Sequence, residues 1–304
     1  MQIGVAGTGK MGSAIARRLL ACAHGVRVWN RTATRAKAVL DAGAVWCESP
    51  KALAQSSDLV ISMLTDEAAL DAVYRGVDGL LAGPVSGRLY IDMSTVRPAK
   101  PQAIGALVSA AGGRFLECPV GGSVGPASEG KLLGFVGGDP QDLAHAREVL
   151  SQLCRRVEHV GGLGAGATMK LAINLPLMVY WQTLSEALSL LQPLGLDPAR
   201  VVDILADTSG GPNMLKTRGP MIAKALAGTA DGSVSVDLAT MSKDLRAMLE
   251  QAAAGHYRLP LAALTLRSFE QASAQGLAAA DCTQLPVWWL QSGGKDDGSA
   301  APPR

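Results

Sequence analysis

The chain has 304 residues and is 48% hydrophobic, which is enough for two domains that each bury a core. Its net charge of +2, without a basic run or an interleaved aromatic patch, argues against nucleic acid or a membrane surface as a partner. The five cysteines are scattered and include no CxxC pair, so the sequence predicts neither a disulfide framework nor a metal site and favours a reducing, cytoplasmic location.

Short apolar runs alternate with helical patterns over residues 1–162, which predicts a mainly parallel, doubly wound α/β sheet with helices on both faces. The predicted strands are Gln2 to Ala6, Val26 to Trp29, Leu59 to Leu64, Leu89 to Asp92, Phe115 to Val120, Leu132 to Val136 and Arg156 to Val160. Asp139 followed by Pro140 is a typical helix start, and that helix is expected to end near Cys154.

The sequence predicts a second, all-helical domain over residues 163–290. A helical pattern follows the glycine-rich turn at Gly161 and continues to Leu194, which predicts a long helix that joins the two domains. Polar residues interrupt this stretch, and the amino terminus enters a strand pattern directly, so we expect neither a membrane span nor a targeting segment. The further helices are predicted over Pro198 to Asp207, Met214 to Leu226, Ser235 to Ala254 and Pro260 to Gly276, and residues 291–304 are predicted to be disordered.

The segment from Gly7 to Gly12, GTGKMG, joins the first predicted strand to the first predicted helix. Gly7 permits a tight turn, Gly9 lets phosphates approach the backbone, and Gly12 lets the helix pack close to the strand. The free N–H groups of the helix start then face the anion. This arrangement predicts a Rossmann-type dinucleotide site, with a plain glycine turn as the alternative.

The residues after the second strand, Asn30, Arg31 and Thr32, indicate which dinucleotide is bound. An acidic residue there would bind the ribose 2′-hydroxyl of NAD, whereas Arg31 can pair with a 2′-phosphate and its two neighbours can donate hydrogen bonds. We therefore predict NADP(H) in preference to NAD(H). The alternative is a solvated surface arginine, and Arg35 offers a second cation one helical turn later.

Two further segments follow predicted sheet strands. The hydroxyls of Ser94 and Thr95 come after the strand that ends at Asp92, at the edge where ligands of doubly wound folds lie. In the second segment Gly121, Gly122 and Ser123 leave backbone N–H groups free to converge on a carboxylate or a similar anion. A tight loop without a ligand is the alternative for the second segment.

Lys170 and Asn174 lie four residues apart near the start of the long helix, so both side chains share one face. A lysine within an apolar stretch is costly unless it is paired, hydrated or functional, and partial burial would lower its pKa towards the range useful for proton transfer. We therefore predict that Lys170 is the catalytic residue. The alternative is a surface lysine whose stem packs on the protein while its amine reaches water.

Together these segments resemble the β-hydroxyacid dehydrogenase family. The resemblance covers about residues 1–290 and rests on the GxGxMG turn, the DxST segment, the PVxGG-type loop, the GxGxxxKLxxN helix and the pair Lys243-Asp244. It implies NADP-dependent interconversion of a small β-hydroxyacid, or a related anion-bearing alcohol, and its semialdehyde, with Lys170 as general acid and base. It also implies a homodimer or homotetramer formed through the helical domain.

The resemblance and the motifs together define the expected site. The expected cofactor-binding residues are Gly7, Thr8, Gly9, Lys10, Met11, Gly12, Asn30, Arg31, Thr32, Met63, Leu64, Thr95 and Lys243. The expected substrate-binding residues are Ser94, Gly121, Gly122, Ser123, Asn174, Lys243 and Asp244.

One departure from the family pattern concerns the anion loop. Family members commonly have a serine followed by two glycines, whereas this chain has Gly121, Gly122 and then Ser123. The acid group of the substrate therefore stays open between a carboxylate and a sulfonate of the sulfolactaldehyde type. Two other functions also stay open: an imine reductase, which generally has aspartate or tyrosine in place of Lys170, and a non-catalytic cofactor-binding scaffold.

Overall fold

The computed structural model describes residues 1–294. Two compact units divide the chain between Ala172 and Ile173. This boundary falls inside the long helix, later than the expected end of the first domain at residue 162, so the first turns of that helix belong to the sheet-containing unit.

The first unit contains a nine-stranded sheet in the order β3-β2-β1-β4-β5-β6-β8-β7, with β9 paired to β8. Strands β1 to β6 run parallel, β8 is antiparallel to β6 and β7, and β9 is parallel to β8. This arrangement confirms the predicted doubly wound fold. The strands are β1 (Gln2–Ala6), β2 (Gly25–Trp29), β3 (Val45–Trp46), β4 (Leu59–Ser62), β5 (Leu89–Asp92), β6 (Arg114–Glu117), β7 (Val120–Gly121), β8 (Leu132–Gly138) and β9 (Cys154–Gly161).

Three helices of the first unit begin where the side chain just before them supplies a cap. Asp139 accepts a hydrogen bond from Gln141 N at 2.7 Å, which confirms the predicted helix start. Ser49 and Asp66 cap two other helices in the same way. The helices are α1 (Lys10–Ala21), α2 (Lys37–Leu40), α3 (Pro50–Gln55), α4 (Glu67–Arg75), α5 (Ala99–Ala110), α6 (Val124–Glu129), α7 (Pro140–Leu153) and the start of α8 (Ala165–Leu191).

The central strands are buried on both faces. Ile61 and Ile91 belong to one apolar cluster, while their chain neighbours Val60 and Tyr90 belong to another. Successive side chains of a strand point to opposite faces, so these clusters are the two cores between the sheet and its helices. With both faces covered, the carboxyl edge of the parallel strands is where a ligand reaches this sheet.

The second unit is helical, as predicted. Its one strand-like pairing among the described residues is an isolated bridge between Asp237 and Asp281. No helix of residues 1–294 combines the length and apolar character needed to cross a membrane. Besides the rest of α8, this unit contains α9 (Pro198–Ala206), α10 (Asn213–Leu226), α11 (Leu238–Ala254), α12 (Pro260–Ala272) and α13 (Gln284–Trp288).

Several predicted element ends are wrong for local reasons. The strand expected over Phe115 to Val120 is divided into β6 and β7 around Pro119, which lacks a backbone N–H. The helix expected to run to Gly276 ends at Ala272, and a kinked turn follows in which Gly276 has φ +94°. Within the tail expected to be disordered, Gln291 lies in a helical turn, Trp289–Gly293, and residues 295–304 lie outside the described residues.

A buried carboxylate holds the segment that leads into α11, and Asp237 caps the helix by accepting a hydrogen bond from Thr240 N at 2.8 Å. The sequence predicted this helix from Ser235, but Ser235 N and Oγ both donate to Asp281 Oδ2 at 2.7 Å, and the helix begins at Leu238. Thr283 N donates to Asp281 Oδ1 at 3.0 Å. Burial raises the pKa of Asp281, but the hydrogen bonds from Ser235 and Thr283 outweigh it and lower the pKa to about 2.

We expect Asp281→Asn to lower the free energy of unfolding by about 1.5 to 3 kcal/mol, because a charged acceptor of several hydrogen bonds is lost. The lowered pKa means that the carboxylate stabilises the folded state above its ordinary pKa of 3.8 and loses this effect as the pH falls through about 2. Chemical denaturation at neutral pH measures the change, with the exposed Asp203→Asn as control. Equal stability of the two variants would contradict this role.

Candidate active site

Four parallel strands end at the same level of the sheet. Ala6 pairs with Ser62, Ser62 with Asp92, and Asp92 with Glu117. The residues that follow these strand ends therefore share the carboxyl edge of the sheet. The first unit in this way brings together the predicted glycine turn, Met63 and Leu64, the Ser94-Thr95 segment and the residues that follow β6.

The glycine turn has the geometry that its sequence predicts. Gly7 adopts φ +102° and donates its N–H to Trp29 O at 2.8 Å. A Cβ at Gly7 would contact Met63 O, and one at Gly12 would contact Gly7 O, so neither position has room for a side chain. At Gly9, in contrast, a Cβ would have no described atom within 4 Å. The turn is therefore packed at its base and open at its exposed tip, which Gly9 and Lys10 form.

Asn30 joins this turn to the end of β2. Its Oδ1 accepts a hydrogen bond from Thr8 N at 3.0 Å, and its Nδ2 donates to Thr32 O at 2.9 Å. The amide of Asn30 thus holds the two loops together, whereas Arg31 and Thr32 are exposed. The buried Thr8 Oγ1 has no hydrogen-bond partner within residues 1–294, which leaves a polar atom available to a ligand at the turn.

A buried carboxylate supports the neighbouring loops. Asp92 Oδ1 accepts hydrogen bonds from Ser62 Oγ and Ser94 Oγ, both at 2.7 Å, and Ser94 Oγ accepts one from Leu64 N at 2.9 Å. Burial raises the pKa of Asp92 to about 6, although both serines lower it. Ser94 is 2% exposed, so its hydroxyl connects Leu64 to Asp92, while Thr95 beside it is half-buried.

A second buried carboxylate caps the long helix. Glu117, the last residue of β6, is 1% exposed. Its Oε1 accepts hydrogen bonds from Gly164 N at 2.5 Å and Gly166 N at 3.0 Å, and its Oε2 accepts one from Ala167 N at 3.1 Å. Burial raises the pKa of Glu117 to about 7, and the three N–H donors lower it. No motif in the sequence predicted a role for this residue.

Lys170 lies one helical turn beyond this cap. It is 9% exposed, which is unusual for a lysine. Gly166 is four residues earlier on the same helix face, and a Cβ there would contact Phe135 O and Glu117 Cγ. The face of α8 that carries Lys170 therefore packs against the sheet of the first unit, and this lysine is not a surface residue.

The predicted anion loop follows β7. Gly122 has φ +124°, and a Cβ there would lie 2.8 Å from Leu132 Cδ2, so this position requires glycine. Ser123 is the residue before α6, yet its side chain makes no capping hydrogen bond with that helix. The residue is half-buried, and its hydroxyl does not serve the helix start.

The other predicted site residues belong to the second unit. Asn174 is half-buried on α8. Lys243 Nζ lies 3.0 Å from Asp244 Oδ1 on α11, and Asp244 is 6% exposed. Among residues 1–294 no group of three His, Cys, Asp or Glu side chains is arranged to hold a metal ion.

Comparison with protein families gives two matches that together span most of the chain. Residues 2–161 match the family described as the NAD binding domain of 6-phosphogluconate dehydrogenase. Residues 164–288 match the family described as "NAD-binding of NADP-dependent 3-hydroxyisobutyrate dehydrogenase". The first match lies within the sheet-containing unit, and the second covers the helices from α8 to α13.

Individual relatives match over nearly the whole length. Glyoxylate/succinic semialdehyde reductase 2 of Arabidopsis thaliana is 32% identical over 92% of this chain and 77% of its own length. The 3-hydroxyisobutyrate dehydrogenase of Pseudomonas aeruginosa is 34% identical over 86% of this chain and 89% of its own. Among solved structures, the Mycobacterium tuberculosis 3-hydroxyisobutyrate dehydrogenase with L-serine has a TM-score of 0.79 at 28% identity, covering 94% of this chain and 98% of that one.

Proposed function

The chain belongs to the β-hydroxyacid dehydrogenase family, and from that premise we propose that it interconverts a small anion-bearing β-hydroxyacid and its semialdehyde with NADP(H). Family membership makes it an NAD(P)-dependent oxidoreductase that acts on a CH–OH group. The observation that carries the finer proposal is Lys170, a buried lysine held one turn after the start of a helix capped from the sheet.

The dinucleotide fits the residues at the glycine turn. The open approach at Gly9, the exposed start of α1 and the unpartnered Thr8 Oγ1 are suited to a pyrophosphate. We propose that Met11, Met63, Leu64 and Thr95 also contact the cofactor. Asn30 acts indirectly in this proposal, since its amide bonds to Thr8 and Thr32 and thereby holds Arg31 next to the turn.

In the proposed reduction, Lys170 Nζ donates a proton to the carbonyl oxygen as that oxygen becomes an alkoxide. In oxidation the neutral amine accepts the hydroxyl proton. When bound, the nicotinamide supplies or accepts the hydride. One positioned acid or base of this kind contributes on the order of 10² to 10⁴ in rate.

The proposed substrate carries an acid group. Gly121, Gly122 and Ser123 would hold it through backbone N–H groups and the Ser123 hydroxyl, which no helix cap occupies. Asn174, Lys243 and Asp244 would complete substrate binding. Glyoxylate, succinic semialdehyde, 3-hydroxyisobutyrate and L-serine, which appear in the names of the relatives, all carry a carboxylate, so we propose a carboxylate in preference to a sulfonate.

The experiment that tests this function is NADPH consumption with a panel of aldehydes: glyoxylate, succinic semialdehyde, tartronate semialdehyde, methylmalonate semialdehyde and sulfolactaldehyde, together with a cyclic imine. We expect turnover with at least one carboxylate-bearing aldehyde. Turnover of the imine alone would identify an imine reductase instead. NADPH binding without any turnover would support a cofactor-binding scaffold.

Alanine substitutions at two glycines of the turn should have different effects, one on NADPH binding and the other on stability. Gly9→Ala should leave the thermal midpoint unchanged, because its Cβ has open space and its φ is −67°, but it should weaken NADPH binding by placing a methyl group where the phosphates approach. Gly12→Ala should lower stability by about 1 to 3 kcal/mol, because its Cβ would overlap Gly7 O. Thermal unfolding and fluorescence titration with NADPH measure both effects. Unchanged NADPH affinity in Gly9→Ala would contradict the assigned site.

We also propose a homodimer or homotetramer in the cytoplasm, formed through the helical unit. Four leucines of this unit, Leu190, Leu194, Leu261 and Leu264, are exposed, and such side chains are suited to an interface. All five cysteines are free thiols, which fits a reducing compartment. Light scattering at assay concentration tests the assembly, and a monomer would contradict it.

A further inference from the structure

The start of α8 has no cap from its own loop. The residues before the helix include Gly162 and Gly164, which have no side chains, and Thr168 within its first turns donates to Gly164 O. The N–H groups of Gly164, Gly166 and Ala167 bond instead to Glu117, which lies 47 to 50 residues earlier in the chain. The helix start is therefore attached to strand β6 and not to the local turn.

The Glu117 carboxylate has little freedom to move. A Cβ at Gly137 of β8 would contact Glu117 Oε1, and a Cβ at Gly166 of α8 would lie 3.2 Å from Glu117 Cδ. Both neighbouring positions must be glycine for the carboxylate to fit between strand and helix. The helix also packs closely on β8, since a Cβ at Gly166 would come nearer still to Phe135 O. These contacts set the distance between the sheet and the first turn of α8.

The regular geometry of the helix fixes the position of Lys170 relative to this first turn. Lys170 lies three residues after Ala167 and four after Gly166, so it shares their face of the helix. A shift of the first turn moves Lys170 by the same amount, because a regular helix transmits such displacements. Glu117 ends the strand next to Asp92, whose carboxylate supports the loops of the cofactor edge. The same edge of the sheet therefore holds both the first turn of α8 and the loops that Asp92 supports.

We propose that Glu117 is the positioning residue for Lys170. Its carboxylate fixes the position of the first turn of α8 relative to the sheet edge that binds the cofactor. This inference rests on the proposed function of Lys170. Displacement of a catalytic group by about 1 Å can cost on the order of 10² in rate. Substitution of Glu117 should therefore reduce kcat through Lys170, while the dinucleotide site, which is built from other strands, keeps its affinity.

A double-mutant cycle in the full-length protein separates this role from a general structural one. The variants are Lys170→Ala, Glu117→Gln and the combination, assayed with NADPH and the panel aldehyde that gives the highest wild-type rate. We expect Glu117→Gln alone to lower kcat by about 10- to 100-fold with NADPH affinity unchanged. We expect no further loss when it is added to Lys170→Ala, because residues that act as a unit are not additive.

The outcomes distinguish a failure of the positioning role of Glu117 from a failure of the proposed function of Lys170. If Glu117→Gln lowers kcat by the same factor in both backgrounds, the carboxylate acts independently of Lys170 and the positioning role is overturned. If Lys170→Ala itself keeps the wild-type kcat, the proposed function fails instead. If Glu117→Gln does not fold, the same double-mutant cycle is made with Glu117→Asp, which keeps the charge but is shorter by one methylene. The exposed Glu148→Gln on α7 is the matched control and should change neither kcat nor NADPH affinity.

Discussion

Lys170→Ala should lower kcat by on the order of 10²- to 10⁴-fold, because the carbonyl oxygen loses its proton donor. NADPH affinity should stay within about twofold, since the glycine turn and the end of β2 hold the dinucleotide in the proposal. The effect should lie in kcat more than in KM, as expected for an interaction that strengthens in the transition state. Steady-state kinetics and a fluorescence titration with NADPH measure both quantities.

Lys131→Ala is the matched control for this prediction. Lys131 lies in the same unit and forms an ion pair with Glu129, and its side chain is 64% exposed. Removing it should leave kcat unchanged, because exposed ion pairs contribute little. A Lys170→Ala enzyme with nearly wild-type turnover on its best substrate would show that another group transfers the proton.

Arg31→Asp should reduce kcat/KM for NADPH by about 10- to 150-fold, which corresponds to the loss of one charge-assisted interaction worth about 1.5 to 3 kcal/mol. The same change should maintain or raise kcat/KM for NADH, because a carboxylate at this position can accept hydrogen bonds from the ribose hydroxyls. The measurement is kcat/KM with both coenzymes at one ionic strength.

Arg35→Asp provides the control, since this second exposed cation lies one turn further along. We expect it to leave the ratio of the two coenzymes unchanged. If Arg31→Asp lowers kcat/KM equally for NADPH and NADH, Arg31 does not recognise the 2′-phosphate. If Arg35→Asp changes the ratio and Arg31→Asp does not, the preference for NADP is carried by the later residue.

Patterns within a short stretch of sequence predicted most of the fold. The apolar run from Gln2 to Ala6 and the Asp139-Pro140 helix start both have the predicted bounds. Periodicity identifies such elements because each depends on neighbouring residues. The short strand β3 was missed, since two residues carry no detectable alternation.

The supports of the candidate site were not visible in the sequence. Glu117 bonds to residues 47 to 50 positions later in the chain, and Asp92 bonds to Ser62 as well as to the nearby Ser94, so local spacing reports nothing of the first role and only part of the second. Asn30 was expected to donate to the cofactor, and the sequence did not show that its amide also joins Thr8 to Thr32. An acidic residue that ends a buried strand is the one signal that could have indicated Glu117, because an unpaired carboxylate is costly at such a position.

Transfer of deuterium from NADPH that carries deuterium at both positions of the nicotinamide C4 tests the central claim most directly. The enzyme would be incubated with the labelled coenzyme and the panel aldehyde that it reduces fastest, and the product would be examined by NMR. Hydride transfer to the semialdehyde predicts one deuterium on the new carbinol carbon. An unlabelled alcohol, or label found only in an amine product, would contradict the proposed reaction.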